Sequence, residues 1–128
     1  MCPWHWYHPE AAQIEEWVFS VVDFDGLHPA ACHLYEAKHG YERFLEDDWG
    51  GGAPKLRRWI QNSKGFDAFD RIVTQGRNQH TAVAPHFGEV ELTWVFSHMI
   101  TRLYVGDLLL REVEGWYHEM EARTWERG

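Results

Sequence analysis

Two acidic residues and a lysine stand where they could act together. Asp25 follows an apolar, β-branched run, and Glu36-Ala37-Lys38 lies a short distance on. In an extended strand alternate side chains face one way, so Glu36 and Lys38 share a face and Ala37 takes the other. If the two segments pair as a hairpin, Asp25 comes beside them. Two carboxylates on one face can hold a hard divalent cation such as Mg2+ or Mn2+ through oxygen, with water and a substrate phosphate completing the shell. Such a metal activates water and steadies the charge that develops on phosphorus. A lysine ammonium beside the attacking water lowers the cost of forming hydroxide. The chemistry these residues point to is metal-assisted hydrolysis of a phosphodiester.

The elements that must position them can be read in order. Residues 1–13 are irregular. Residues 14–22 (IEEWVFSVV) are β-branched and aromatic and read as a strand, which Asp23-Phe24-Asp25-Gly26 ends. LHPAA, with Pro29, reads as a turn and residues 32–38 (CHLYEAK) as the second strand, broken at Gly40. YERFLEDDW reads as a short helix and Gly50-Gly51-Gly52 as a hinge. Pro54 suits a first helical turn that KLRRWIQN continues, and Lys64-Gly65 interrupts it. A long helix follows from Phe66 to about Ala84, weakened at Gly76 and ended by Pro85. Residues 89–96 (EVELTWVF) alternate cleanly and predict a half-buried strand, after which Ser97 is a candidate helix cap. Residues 98–122 are apolar at helical spacing, with Gly106 or Gly115 as possible breaks. The expectation is one α/β domain over residues 1–128, a single mixed sheet with helices against it.

Composition narrows the class. With 128 residues, 45% of them hydrophobic and 25% charged, the chain matches one soluble globular domain rather than a disordered or fibrous one. The eight Trp fall mostly in apolar runs and read as core. The net charge of −8 argues at first against a nucleic-acid partner. It is uneven, however. Residues 1–54 carry ten acids against two bases, whereas residues 55–77 carry six bases, Lys55, Arg57, Arg58, Lys64, Arg71 and Arg77, against two acids. A basic island of this kind suits contact with a phosphate backbone, and equally a solvated helix face. Cys2 and Cys32 form no CxxC pair, and disulfides are not needed to explain the fold. No run approaches a membrane span, and the start MCPWHWYHPE has neither the basic nor the apolar part of a secretory signal.

The Asp25, Glu36, Lys38 spacing is the PD-(D/E)xK pattern, which alone arises by chance in many proteins. Its neighbours carry more. Glu16-Trp17, Phe24-Asp25-Gly26, Leu34-Tyr35-Glu36-Ala37-Lys38, Tyr41 and Phe44, then Arg77-Asn78-Gln79, Ala82 and Ala84, then Leu92-Thr93-Trp94-Val95-Phe96 together resemble the restriction-endonuclease-fold toxin domains found at the ends of bacterial polymorphic and type VI secretion toxins. The likeness covers roughly residues 14–110. It implies a nuclease that cuts DNA, delivered into a rival cell by a secretion system and neutralised at home by a cognate immunity protein. It also implies Asp25 and Glu36 as metal ligands, Lys38 as the motif lysine and Gln79 as a helix glutamine that contacts substrate or positions water. Glu16 is a further acidic candidate, or simply an exposed strand residue. Lys55, Arg57, Arg58, Arg71 and Arg77 are the candidate nucleic-acid contacts. Domains of this kind usually carry a helix before the first strand, where only residues 1–13 precede it here, so that helix is absent or the chain is a fragment or a shortened relative.

Other constellations are weaker. His5 and His8 near Cys2 have no second pair at zinc spacing. His80, beside Gln79, is a candidate general base. Cys32 reads as a small core residue. No P-loop or nucleophile-elbow motif is present. Two rival functions fit the same composition. One is a non-catalytic acidic module, an immunity protein or DNA-mimicking inhibitor, favoured by the charge and small size. The other is an intracellular repair or recombination nuclease of the same fold.

Overall fold

The computed structural model describes residues 17–19, 22–46, 54–57 and 64–123. The run read as a strand over 14–22 holds β1 (Trp17–Phe19) and only the first residue of a second strand, β2 (Val22–Phe24), which takes up the Asp23-Phe24 read as its end; the two pair antiparallel, Trp17 opposite Phe24. Strand-favouring residues fill the whole run, so nothing in its periodicity marks where the chain doubles back. Asp25 sits at the bend that leads into β3 (Gly26–His28). A 3-10 turn at Pro29–Ala31 then reverses the chain into β4 (His33–Lys38), antiparallel to β3 with Gly26 opposite Tyr35. The expected hairpin therefore forms, and Asp25 N–H donates to Tyr35 O at 3.0 Å. Gly40, at φ +85°, takes the left-handed conformation open to glycine just beyond the end of β4.

Two expected helices do not form over the described residues. After Tyr41 only a 3-10 turn forms (Glu42–Phe44), and β5 (Leu45–Glu46) pairs with β6 (Lys55–Leu56), where a helix from Pro54 was expected. Leu45 and Leu56 face each other and both are buried, and this pairing overrides local propensity. The Gly50–Gly52 hinge and Arg58 lie outside the described residues.

Helix α1 (Lys64–Val83) starts earlier than expected, so Lys64-Gly65 does not interrupt it. Phe69, Ile72, Gly76, Gln79 and Val83 recur at three- and four-residue intervals and form its buried stripe. Gly76 lies close against α2 (Met99–Glu112), since a Cβ there would stand 2.8 Å from Leu109 Cδ2. Ser97 does not cap α2. The N-cap is His98, which makes no side-chain cap bond, and Ser97 Oγ hydrogen-bonds its neighbour's Nδ1 at 2.8 Å.

Between the helices runs β7 (Glu91–Phe96). The helix expected over 98–122 stops at Glu112, Gly115 turns the chain at φ +77°, and β8 (Glu119–Ala122) follows. The sheet order is β3-β4-β7-β8, with β4, β7 and β8 mutually parallel. Leu34 lies opposite Leu92, Glu36 opposite Trp94 and Lys38 opposite Phe96. These residues share the face on which α1 lies, while α2 packs against β7 and β8. Strand β7 was expected to be half-buried. Thr93 and Val95 are buried as well as Leu92, Trp94 and Phe96, as suits a central strand with parallel neighbours on both sides. Trp94 and Trp116 are core residues, as expected. The architecture is the expected α/β one, a mixed sheet with helices, and no described helix is long and apolar enough to cross a membrane.

Candidate active site

The strand register and one helix face bring the motif together. Glu36 and Lys38 are two apart on β4 and point to the α1 side, where Gln75 and Gln79 stand one turn apart. Glu36 is almost fully enclosed, at 2% exposure. Its Oε1 accepts a hydrogen bond from Gln79 Nε2 at 2.8 Å. Its Oε2 accepts one from Gln75 Nε2 at 2.9 Å and lies 2.9 Å from Lys38 Nζ. Lys38 also donates to Gln75 Oε1, and its ammonium stands 5.3 Å from the centre of the Trp94 ring.

The orientation of both amides follows from chemistry. The indole N–H of Trp94 can only donate, and it reaches Gln79 Oε1 at 2.8 Å, so the Gln79 NH2 must face Glu36. The Lys38 ammonium can only donate, so Gln75 Oε1 faces it and the Gln75 NH2 also faces Glu36. Every donor aimed at Glu36 therefore favours its ionised form. Burial acts the other way and is the larger influence. It holds the carboxyl above the usual carboxylate value, with Lys38 pulling it down and the Asp25 charge pushing it up.

Asp25 is exposed at the mouth of this cluster, and its Oδ2 accepts a hydrogen bond from Ala37 N–H at 2.9 Å. That bond ties the Asp25 bend to the middle of Glu36-Ala37-Lys38. The structure thus brings together all four residues singled out for the core of the site: Asp25, Glu36, Lys38 and Gln79. It adds two that the sequence reading missed. Gln75 stands four residues before Gln79, a spacing that marks a shared helix face. Trp94 is opposite Glu36 in the register and serves as a donor as well as a core ring.

The other candidates separate. His80 does not join this cluster: its Nδ1 lies 2.8 Å from His118 Nε2. Successive helix residues point about 100° apart, which takes His80 away from the face of Gln79. Of the basic candidates, Arg71 is exposed and lines a depression with Asp70, Thr74 and Gln75, one helical turn from the site. Arg77 is held elsewhere, donating to Glu112 O at 3.0 Å. Lys55 stands 4.0 Å from Glu46, and Arg57 N–H donates to Phe44 O. Cys32, read as a small core residue, is partly buried and disulfide-bonded, so it offers no thiol. Glu16, Arg58 and the Cys2, His5 and His8 group lie outside the described residues.

Among the described residues no group of three or more His, Cys, Asp or Glu could cage a metal. Asp25 and Glu36 are an oxygen-only pair close enough for their charges to interact. This donor set fits a hard cation such as Mg2+, which keeps several waters and takes only one or two carboxylates. It does not suit a soft-ligand site.

Comparison with known proteins agrees with the fold. No curated protein matches the chain. The family profile described as restriction endonuclease fold toxin 5 matches residues 6–99, a span that takes in β1 to β7 and all of the cluster around Glu36. With more than half of its length so matched, the chain belongs to this family of restriction-endonuclease-fold toxins.

Proposed function

We propose that the chain is a DNA-cutting toxin domain that hydrolyses phosphodiester bonds with Mg2+ or Mn2+ held by Asp25 and Glu36. The observation that carries this reading is the buried Glu36–Lys38 pair, braced by two oriented glutamines and opening onto Asp25. An acidic docking surface has no use for a carboxylate enclosed to this degree. Enclosing a charge is costly unless it is paired and hydrogen-bonded, and sites that bear that cost are commonly chemical ones.

In this reading the bound cation supplies an activated water and neutralises charge on the phosphate. Asp25 and Glu36 fix where that charge sits. Lys38 presents its ammonium on the same face, beside the attacking water and the scissile phosphate. Gln79, locked by Trp94, keeps Glu36 Oε1 in place. Arg71 extends the site along α1 and takes the phosphate backbone, a contact that gives affinity but little sequence information, so cutting shows little sequence preference. Lys55, Arg57 and Arg58 are more distant backbone contacts. In this reading the domain acts in the cytoplasm of a target cell after delivery by a secretion system, and a cognate immunity protein is its partner.

The test is Asp25→Ala. Its carboxylate is exposed and anchors to one backbone amide, so the variant should fold, by circular dichroism, and lose plasmid cleavage. A folded variant that cuts as the wild type does would show the site to be misassigned, and cleavage that persists in excess EDTA would remove the metal from the mechanism.

A further inference from the structure

The two oxygens of Glu36 are held in different ways. Oε1 is bound by Gln79, whose own carbonyl is fixed by the buried Trp94 indole. That oxygen belongs to the core. Oε2 is bound by Gln75 and Lys38, the two members of the cluster nearer solvent, with Gln75 half-buried and Lys38 at 11% side-chain exposure. Gln75 and Lys38 also hydrogen-bond each other. They close a three-membered ring with the carboxylate: ammonium to Oε2, amide NH2 to Oε2, and ammonium to amide oxygen.

We infer that Gln75 and Lys38 form a latch on Glu36 Oε2, so that a cation must displace the lysine to bind there. This rests on the metal-dependent reading above. A cation and an ammonium both seated on one enclosed carboxylate oxygen repel strongly where little water screens them. One has to leave, and Oε2 is the oxygen whose occupants can move. Gln75 is a positioning residue with two tasks. In the resting site it steadies the lysine on Glu36. Once the lysine is displaced, the amide oxygen of Gln75 still holds the ammonium on the site's face of the sheet.

The consequence is a pair of opposite effects that a folding defect cannot imitate. Removing the latch should tighten metal binding and slow cleavage. The experiment is calorimetric titration of the full chain with Mn2+, and with Ca2+ as a second probe, beside plasmid cleavage, for wild type, Gln75→Ala, Gln75→Met, Lys38→Met and Glu36→Gln. Gln75→Met keeps the length and helical preference of the side chain and removes both hydrogen bonds, which covers the case in which the alanine variant folds poorly. The Gln75 variants should bind Mn2+ about threefold to tenfold more tightly, and Lys38→Met about tenfold or more, while both cut more slowly than the wild type. Binding by the Gln75 and Lys38 variants that equals or falls below the wild type, while Glu36→Gln abolishes it, would overturn the latch and leave the nuclease reading standing. Binding undiminished in Glu36→Gln, or absent from every form, would overturn both.

Discussion

Gln79 and His80 are consecutive on α1, and they serve two clusters built on different principles. Gln79 enters the cluster of Glu36, Lys38, Gln75 and Trp94, in which a buried charge is met by an opposite charge and oriented donors. His80 enters a cluster with His118, Trp116 and Tyr117, in which rings pack at centroid distances of 4.2–6.2 Å and the two imidazoles share one hydrogen bond. The first cluster holds charge that is compensated. Among the described residues the second is given no compensating acid, so protonating its imidazoles costs stability. Burial and the neighbouring His80 hold the His118 imidazole down at about 4, and burial lowers His80 too. The two clusters therefore respond to acid in opposite senses. Ionised Glu36, raised by burial, costs stability that protonation relieves. His118 contributes stability that is whole above its ordinary 6.5 and is lost as pH falls towards about 4. A polar cluster that carries charge and one that excludes it can share a single helix, and the first is where chemistry is expected.

The largest expected effect tests the charged cluster. Lys38→Ala should lower plasmid cleavage by about a hundredfold to a thousandfold while leaving the circular dichroism spectrum native. A smaller loss would mean that the ammonium serves only the fold. Next comes acid. Between pH 6.5 and about 4 the His118 imidazole should withdraw about 3 kcal/mol of stability, read as a falling urea midpoint. His118→Phe should flatten that dependence, and an unchanged slope would break the contrast between the clusters. A pair of variants sharpens it further. Gln79→Leu strands the Trp94 N–H and one Glu36 oxygen in the core and should cost about 2–3 kcal/mol, whereas His80→Phe, in a cluster of rings, should cost about 1 kcal/mol. Denaturant unfolding of both would show it, and equal losses would argue against the distinction. The smallest effect concerns the scaffold both clusters share. Gly76→Ala places a methyl 2.8 Å from Leu109 Cδ2 and should lower stability by about 1–2 kcal/mol through separation of α1 and α2, measurable by thermal melting.

What the sequence disclosed follows the reach of each signal. Strand alternation around Glu36-Ala37-Lys38 and in 91–96, and the helical spacing from Phe69 to Val83, are local and strong, and they mark β4, β7 and α1. The turn at Pro29 and the break at Gly40 mark the hairpin that carries Asp25. The shared face of Glu36 and Lys38 was legible because a strand's period of two fixes it, whereas Gln79 came into view only through the family resemblance. Tertiary pairing was not legible. Glu119-Met120-Glu121-Ala122 has little strand preference and becomes β8 by lying parallel to β7, while Leu45 and Leu56 become strand by burying each other. Gly76 looked like a weak point because a helix alone loses by it, whereas the packing of Leu109 requires it. Gln75 was passed over because a glutamine on a helix reads as solvated until the strand opposite is known.

The most direct test of the central claim is plasmid DNA incubated with the purified protein and Mg2+, with Mn2+ as a second cation, beside Glu36→Ala and an EDTA control. The account predicts cleavage by the wild type alone, lost in the variant and in EDTA. A folded wild type that cuts with neither cation, or a Glu36→Ala variant that cuts as well as the wild type, would contradict it.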